Sequence, residues 1–434
     1  MDNTPAATSA LSDALAEARA RYVARNPLSR AQHERAADVM PGGNTRTVLF
    51  HDPFPLTIAR GEGCRLWDAD GHTYIDLLGE FTAGIYGHSH PAIRAAIVGA
   101  LDRGLNLAGH TAMEAELARL VCDRFASIEL VRFTNSGTEA NLMALALAVA
   151  ATGRRKIMVF SGAYHGGLLT FPGGRSPVNV PHDFVVAPYN DAEGAVQLIT
   201  DDLAAILVEP MMGSAGCIPG DPAFLAALRE AASRVGALLI FDEVMTSRLA
   251  PGGRQQSLGI APDLTTLGKY VGGGMSFGAF GGRRDLMSRF DPRTPNALPH
   301  AGTFNNNVLT MAAGVAGLTQ AYTPEAAIAL NARGDALRER LNARCRGSGA
   351  KFSFTGVGSM LCAHATDAPI HGPADVPADT RRRDLFFFDM LERGIYLARR
   401  GFIALALPVG DAEIEQFEGA VAAFLDTHRA VLRD

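Results

Sequence analysis

The sequence predicts an α/β protein built around a mainly parallel sheet with helices on both faces. Between roughly residues 90 and 315, short apolar runs alternate with segments of helical periodicity, which is the pattern of repeated strand and helix units. The length of 434 residues and the 47% hydrophobic fraction allow two or three domains with a large core.

The segments before this region predict a helical arm followed by a small antiparallel hairpin region. Apolar residues from Leu11 to Tyr22 fall near one helix face, and the pair Asn26-Pro27 separates that helix from a second helical segment. The pair Asp70-Gly71 within LWDADGHTYIDL indicates a tight turn between two strands. We therefore expect residues 1–89 to form an N-terminal arm and part of a small domain.

The central and C-terminal segments complete the predicted organisation. Apolar runs supply the strands of the central sheet, namely LVRFTN, KIMVFSG, AAILVEPM, ALLIFDEV, LTTLGK and FGAFGG. A long helical stretch follows them, and a strand-and-helix segment with a proline-bearing loop at 366–380 closes the chain. These patterns predict a large domain over 90–315 and a C-terminal small domain over 316–434.

Composition excludes several classes of function. Forty basic against 45 acidic residues give a net charge of -5, so we expect no surface for a nucleic-acid backbone or an anionic membrane. No apolar run reaches the roughly 18 residues of a membrane span, and the N-terminal segment lacks the apolar region of a signal peptide. The five cysteines form no C-x-x-C pair and are interpreted as reduced thiols. We expect a cytoplasmic protein.

A candidate phosphate site lies where the strand LVRFT meets the next helix. In NSGTEAN, Ser136, Gly137 and Thr138 stand at a predicted helix N-terminus, where free amides and hydroxyls bind a phosphate. The structural alternative is an N-cap with Glu139 as a capping-box residue, which explains the hydroxyl residues but not the glycine between them.

Three further side chains of interest follow predicted strands. Asp242 comes after five apolar residues, where an ionised carboxylate needs a cationic partner such as a protonated ring nitrogen. Glu209 ends the preceding strand, and Tyr164 precedes His165 on a glycine-bounded loop where an aromatic ring could stack on a flat ligand. The structural alternatives are a helix N-cap or an arginine partner for Asp242, and core packing for Tyr164.

Lys269 decides between these interpretations. Only three of the 40 basic residues are lysine, and this one lies in the uncharged, glycine-rich stretch LTTLGKYVGGGMSFGAFGG. An ammonium group there is costly unless it is paired or used, and burial lowers a lysine's pKa and frees the amine. A phosphate cradle, an aromatic face, a carboxylate for a ring nitrogen and a desolvated lysine together indicate pyridoxal 5'-phosphate bound as a Schiff base.

Motifs along nearly the whole chain resemble the class III aminotransferases, and within them the glutamate-1-semialdehyde aminomutase-like group. The resemblance is carried by PGG near residue 41, LWDADGHTYIDL, GHSHPAI, FTNSGTEANLMA, FSGAYHGG, VEPMMG and HAGTFNNNVLTMAAG. The segments NTRTVLF, DEVMTSRLAP and RRGFIALAL look most like the β-phenylalanine, or β-amino acid, aminotransferases of that group.

This resemblance implies a fold-type I transferase dependent on pyridoxal 5'-phosphate, with a mainly parallel seven-stranded sheet in the large domain and a small α+β domain. It implies that Lys269 is the catalytic Schiff-base lysine, that Asp242 is the catalytic partner of the ring nitrogen, and that Tyr164 stacks on the ring. The other cofactor contacts that it implies are Ser136, Gly137 and Thr138 at the phosphate, Glu209, Met245, and Thr303 from the second subunit of a homodimer with active sites at the interface.

Two arginines are expected to bind substrate carboxylates. Arg46 lies beside apolar residues in NTRTVLF, and Arg400 precedes a glycine in LARRGFIALAL, where Arg399 is the alternative by one position. A surface location is the structural alternative for each. The resemblance implies ping-pong transamination from an aromatic β-amino acid, such as β-phenylalanine, to 2-oxoglutarate or pyruvate.

Two other activities stand as alternatives. Intramolecular amino transfer by an aminomutase is disfavoured, because aminomutases typically have DEVMTGFR where this chain has DEVMTSR. The match of GMSFG around Ser276 to a serine-hydrolase nucleophile elbow is disfavoured too, because an elbow needs a strand before the serine and a helix after it. His88 and His90 lack a neighbouring carboxylate or thiol set, so no metal is expected.

Overall fold

The structure, a computed structural model, describes residues 5–433, with side chains from residue 10 onward. Helix α1 (Pro5–Arg25) and helix α2 (Pro27–Ala37) are the two helices predicted for this segment, and the second begins with a proline, which suits a first helical position. Leu11, Leu15 and Tyr22 are buried, and the Tyr22 hydroxyl donates to the Phe54 carbonyl at 2.8 Å. The predicted buried face of α1 is therefore confirmed.

The remaining elements follow in chain order. The strands are β1 (Ile58–Glu62), β2 (Arg65–Asp68), β3 (Thr73–Asp76), β4 (Leu130–Thr134), β5 (Lys156–Phe160), β6 (Asp183–Ala187), β7 (Leu203–Val208), β8 (Met211–Met212), β9 (Ile218–Pro219), β10 (Leu238–Asp242), β11 (Leu264–Gly268), β12 (Gly278–Gly282), β13 (Ser353–Val357), β14 (Met360–His364), β15 (Ile395–Tyr396) and β16 (Phe402–Ala404). The helices are α3 (Pro91–Asp102), α4 (Ala112–Arg124), α5 (Gly137–Thr152), α6 (Ala192–Gln197), α7 (Pro222–Val235), α8 (Gly253–Leu258), α9 (Arg284–Met287), α10 (Val308–Ala316), α11 (Pro324–Ser348), α12 (Arg381–Glu392), α13 (Asp411–Thr427) and α14 (Arg429–Leu432). No helix within residues 5–433 is both long enough and apolar enough to cross a bilayer.

The central sheet has seven strands in the order β4-β12-β11-β10-β7-β5-β6. Six strands run parallel, and β12 is antiparallel to both of its neighbours. All residues of β7, β10, β11 and β12 are buried, as expected for strands with both faces covered. The predicted mainly parallel sheet is confirmed, although β6 at one edge was not among the predicted strands.

Two smaller sheets combine distant parts of the chain. The hairpin of β2 and β3 turns at Gly71, which has φ +90, as the Asp-Gly pair predicted. Strand β15 then adds in parallel to β3, giving the order β1-β2-β3-β15. Strands β13, β14 and β16 form a separate antiparallel sheet. The domain boundaries at 89/90 and 315/316 stay predictions.

The topology brings the predicted site residues to one edge of the central sheet. Asp242 ends β10, Lys269 follows β11, and Glu209 follows β7. The loop after β5 carries Tyr164, and β4 leads through Ser136 into α5. Because these strands are parallel, their carboxyl ends meet at the same edge, where open α/β sheets place their ligands.

Candidate functional site

A cavity of about 590 Å³ lies around Lys269. Four other residues predicted for the site also line it, although they come from distant parts of the chain. They are Arg46, Tyr164, Met245 and Arg400. The rest of the wall is largely apolar and includes Val48, Phe81, Pro172, Pro373, Val376 and Pro377. The cavity therefore combines cationic groups with a surface suited to an aromatic ring.

The Lys269 amine is desolvated and unpaired. Its backbone has φ +57, a left-handed conformation that is strained for a lysine, at the turn from β11 into a 3-10 helix. No hydrogen bond or ion pair to this amine is found within residues 5–433. Burial lowers its pKa to about 8, and the charge of Arg400 adds to this shift while Glu80 and Asp242 oppose it. A substantial fraction of the amine is therefore neutral near pH 7.5.

Asp242 is buried and held by three hydrogen bonds. Its Oδ2 lies 2.8 Å from both Asn141 Nδ2 and His165 Nδ1, and its Oδ1 accepts from the Val244 amide at 3.0 Å. Since an ionised carboxylate only accepts, the proton of the His165 contact lies on Nδ1. Thr266 donates to Asn141 Oδ1 at 2.7 Å and so fixes the orientation of that amide. No arginine lies within ion-pair distance of Asp242 in the described chain, which removes the arginine-paired alternative for this residue.

The start of α5 is both an N-cap and a tightly packed glycine segment. Ser136 Oγ accepts from the Glu139 amide at 3.2 Å, so the predicted cap is present. A Cβ on Gly137 would lie 2.9 Å from Val244 Cγ2, and one on Gly166 would lie 2.1 Å from the Thr138 hydroxyl oxygen. Only glycine therefore fits at position 137, where the start of α5 packs against Val244, and at position 166, where the loop after β5 packs against Thr138. The amides of Gly137 and Thr138, at the first two helical positions, have no intrahelical acceptor, which leaves them for a ligand.

Glu209 supports the loop that carries Tyr164. Its two carboxylate oxygens accept from the amides of Tyr164 and Gly213 at 3.0 and 3.1 Å. Burial raises the pKa of Glu209 to about 7, with His165 opposing the shift and Asp242 adding to it. Glu209 is not part of the cavity wall, whereas the Tyr164 side chain lines the cavity and the residue is 45% exposed. Core packing is therefore excluded for Tyr164.

The adjacent arginines near the C-terminus have different environments. Arg399 makes two hydrogen bonds to the Asp384 carboxylate, at 2.8 and 2.7 Å. Arg400 instead lies over the rings of Phe81 and Phe402, at 5.1 and 5.7 Å from their centroids, and its buried Nε has no partner. Burial lowers the pKa of Arg400. Only Arg400 of this pair lines the cavity.

A left-handed turn positions the other side of the cavity. Gly79, Glu80, Phe81 and Thr82 have successive φ values of +53, +46, +50 and +81. Such a conformation costs of the order of 1 kcal/mol for each non-glycine residue. The turn brings Glu80 Oε1 to 2.6 Å from Arg46 Nη1 and places the Phe81 ring beside Arg400. Both members of the Arg46–Glu80 pair are about half exposed.

Some residues of the cavity wall carried little signal in the sequence. Arg383 lines the cavity together with three residues of the loop 366–380, namely Pro373, Val376 and Pro377. In sequence these segments resemble an ordinary surface helix and a surface loop. The sequence signal for Arg383 is its place in a run of three arginines, 381–383, at the start of a helix, where positive charge is unfavourable. Thr303 lies apart from the cavity and is exposed in a groove of about 390 Å³ formed with residues 105–110 and 304–309.

The structure does not support a serine-hydrolase site at Ser276 or a metal site at His88. A 3-10 helix precedes Ser276 and strand β12 follows it, so the arrangement of a nucleophile elbow is missing. His88 Nε2 contacts Asp76 Oδ2 at 3.1 Å, an ordinary polar contact. Within residues 5–433, no group of three potential metal ligands comes together.

Comparisons with known proteins identify the family. The chain matches the family "Aminotransferase class-III" over residues 50–419. It is 58% identical over 427 residues to a "Beta-phenylalanine transaminase" of Variovorax paradoxus, covering 98% of each chain. A crystal structure of a β-phenylalanine aminotransferase from that organism matches with a TM-score of 0.96, 58% identity and coverage of 97% of this chain and 99% of that one. "Glutamate-1-semialdehyde 2,1-aminomutase 2" of Brevibacillus brevis is 40% identical over 407 residues, 88% of this chain and 94% of that one.

The chain therefore belongs to the class III aminotransferases, and its fold is that of the fold-type I transferases dependent on pyridoxal 5'-phosphate. The predicted family, fold class, enzyme class and cofactor are confirmed. The residues present suit this cofactor. Lys269 offers an unpaired amine of lowered pKa, Asp242 offers a fixed carboxylate, and the start of α5 carries a glycine, Gly137, where a larger residue would collide with Val244.

The lowered pKa of Lys269 gives a direct test on the apoenzyme. Acetylation of Lys269 by acetic anhydride should rise with pH around a midpoint of about 8, because only the neutral amine attacks the reagent. At pH 7.5 about a quarter of the amine would be neutral, against about one part in a thousand for an ordinary lysine. Peptide mass spectrometry can assign the label, since Lys156 and Lys351 are the only other lysines and serve as internal references. A profile still climbing tenfold per pH unit at pH 9.5 would contradict the expectation.

Proposed function

We propose that this enzyme transfers the amino group of an aromatic β-amino acid, such as β-phenylalanine, to 2-oxoglutarate or pyruvate by a ping-pong mechanism. The observation that carries the proposal is the cavity around Lys269, which joins two arginines from opposite ends of the chain to an apolar wall. The 58% identity to a β-phenylalanine transaminase supports the same substrate class.

In this proposal, the site residues hold the cofactor at its phosphate, its ring and its aldehyde carbon. Ser136, Gly137 and Thr138 bind the phosphate, and Lys269 forms the covalent link. The ring contacts are Tyr164, Asp242 and Met245, with Glu209 fixing the loop of Tyr164. When bound, pyridoxal 5'-phosphate supplies an electron sink for negative charge that develops on the substrate carbon.

The proton transfers fall to Lys269 and Asp242. Lys269 Nζ removes the proton from the substrate carbon that carries the amine, and a pKa of about 8 suits a general base working near neutral pH. Asp242, fixed by Asn141, His165 and the Val244 amide, stabilises a proton on the ring nitrogen. That proton strengthens the electron sink, so the two residues act on the same step.

The two arginines divide the carboxylates between the half-reactions. In a β-amino acid the carboxylate lies one carbon further from the amine than in an α-amino acid. Arg46 binds this distant carboxylate, and Arg400 binds the carboxylate next to the keto group of the acceptor. Because Arg46 already pairs with Glu80, the donor carboxylate must share Arg46 with Glu80 or displace it. The apolar wall of the cavity receives the aromatic ring.

We further propose a cytoplasmic homodimer. Thr303 is exposed and separate from the cavity of its own chain, so a contribution to the cofactor phosphate would come from a second copy. Large apolar side chains surround it, since Leu105, Leu107 and Phe304 are about half exposed. All five cysteines are free, as suits a reducing compartment.

A donor and acceptor panel with wild type, Arg46→Ala and Arg400→Ala tests this function. Arg46→Ala should lower kcat/KM for the β-amino donor. The decrease should correspond to about 1.5 to 3 kcal/mol of lost transition-state stabilisation, the contribution of one charged hydrogen bond, and the 2-oxoglutarate half-reaction should be affected less. Arg400→Ala should show the reverse. Stopped-flow measurement of each half-reaction separates the two effects.

Two results would change the assignment. Equal losses in both half-reactions for both variants would mean one shared carboxylate site and would refute the division between the arginines. Many turnovers per site without any added keto acid would instead favour the intramolecular aminomutase reaction, in which the amino group returns to the same substrate; this is the activity named for the relative at 40% identity.

A further inference from the structure

The Asn141 side chain connects four elements around the site. It is buried on α5, shortly after residues 136–138 at the start of that helix. Its Nδ2 donates to Asp242 Oδ2 at 2.8 Å, at the end of β10, and to the His165 carbonyl at 3.0 Å, on the loop after β5. Its Oδ1 accepts from the Thr266 hydroxyl at 2.7 Å, on β11. Thr266 has no role in the reaction proposed above.

These contacts allow the Asn141 amide only one orientation. The Asp242 carboxylate and the His165 carbonyl can only accept, so the amide nitrogen must face both of them. The amide oxygen then faces Thr266, whose hydroxyl is the one donor to it found within residues 5–433. Without this hydroxyl the oxygen would be a buried acceptor with no partner, and the amide would no longer be held against Asp242.

The contacts of Asp242 leave one acceptor position for a ligand. Oδ2 accepts from Asn141 and His165, whereas Oδ1 accepts, among the described residues, from the Val244 amide alone at 3.0 Å. Each carboxylate oxygen offers two lone pairs, so Oδ1 retains one. Oδ1 is therefore the atom that can meet a protonated ring nitrogen, and the contacts at Oδ2 set the direction in which Oδ1 points.

Two adjacent threonines of β11 differ in their link to this network. Thr266 is the register partner of Asp242 in the parallel pair of β10 and β11, yet its hydroxyl reaches Asn141 instead. Thr265 is equally buried, but successive strand residues point to opposite faces. Its hydroxyl lies 2.9 Å from Ser127 Oγ and 3.3 Å from Gln255 Nε2. Thr265 therefore offers a matched comparison for Thr266.

We propose that Thr266 is a positioning residue, whose hydroxyl fixes the Asn141 amide so that this amide holds Asp242 with Oδ1 toward the ring nitrogen of the cofactor. The inference rests on the proposed role of Asp242 and extends it to a residue two hydrogen bonds away. A hydroxyl that only satisfied a buried amide would affect folding alone. A positioning hydroxyl also affects how tightly a ring nitrogen is bound.

The test measures the binding of two compounds by the full-length apoenzyme: pyridoxal 5'-phosphate and its 1-deaza analogue, in which carbon replaces the ring nitrogen. Wild type should prefer pyridoxal 5'-phosphate by about tenfold to a hundredfold, the effect of one charged hydrogen bond. Thr266→Val nearly preserves shape and should reduce this preference by about threefold to tenfold. Thr266→Ser keeps the hydroxyl and should retain the preference. Thr265→Val, the same change on the other face of the sheet, should retain it too.

A urea unfolding measurement on the same variants separates positioning from stability. Both valine variants should lose stability, because each removes a buried hydrogen bond, but only Thr266→Val should alter the preference between the two compounds. An unchanged preference in Thr266→Val, including equal losses of affinity for both compounds, would overturn the positioning role. If Thr266→Val does not fold, Thr266→Ala removes the same hydroxyl and carries the same expectation.

Asp242→Asn in the same assay separates this inference from the proposed function. If Asp242→Asn keeps the wild-type preference, the proposed role of Asp242 falls, and the role of Thr266 falls with it. If Asp242→Asn loses the preference while Thr266→Val keeps it, only the role of Thr266 falls.

Discussion

Lys269→Ala should lower transamination by at least about 10⁴-fold, because it removes both the covalent attachment and the general base in one change. The expected loss is large since no other lysine lines the cavity and the Lys269 amine has a lowered pKa. The phosphate and ring contacts lie on other elements, so the variant should still bind the cofactor, now without a covalent link.

Single-turnover kinetics with a β-amino donor and equilibrium dialysis of the cofactor would measure the two properties separately. Lys156→Ala is the matched control, because that lysine pairs with Asp202 on the surface and lies outside the cavity. A Lys269→Ala enzyme with the wild-type rate would refute the assignment of the site.

Asp242→Asn should slow proton abstraction by roughly 10²-fold or more, by analogy with the loss of one preorganised electrostatic group. The substitution nearly preserves shape but removes the charge that holds a proton on the ring nitrogen. It also places an amide where Asn141, His165 and the Val244 amide all donate, so at least one of these donors loses its acceptor.

The measurement is the single-turnover rate with donor deuterated at the amine-bearing carbon, where the isotope effect should grow as proton abstraction becomes slower. Asp221→Asn provides the control, because it makes the same chemical change at the N-cap of α7, where asparagine caps equally well. Unchanged rates in Asp242→Asn would show that the carboxylate does not act on this step.

Much of the site could be predicted because its residues follow strands that the sequence marks clearly. Asp242 comes directly after a buried apolar run and Lys269 interrupts an uncharged glycine-rich stretch, so each stands out in its local sequence. Parallel strands then bring these positions to one edge of the sheet without further information. The chemical roles assigned to them stay predictions until the variants are measured.

The C-terminal wall of the cavity could not be predicted in the same way. Which of Arg399 and Arg400 faces the cavity depends on Asp384, a residue 15 positions away that binds the first of them. Arg383 and the loop with Pro373 have the composition of exposed segments, and only tertiary packing places them beside Lys269. Glu80 was missed for the same reason, since its contact with Arg46 depends on a backbone turn with no glycine at three of its four positions.

In laboratory evolution, selection for stability and selection for activity would favour different residues in the turn at 79–82. Asparagine and glycine adopt positive φ with the least penalty, so screening for heat resistance alone would favour them at Glu80 and Phe81. Each replacement would remove a group that contacts one of the two proposed substrate arginines: the carboxylate on Arg46 or the ring beside Arg400. Libraries designed to make this enzyme robust should therefore hold positions 80 and 81 fixed, whereas libraries designed to alter its acid preference should begin there.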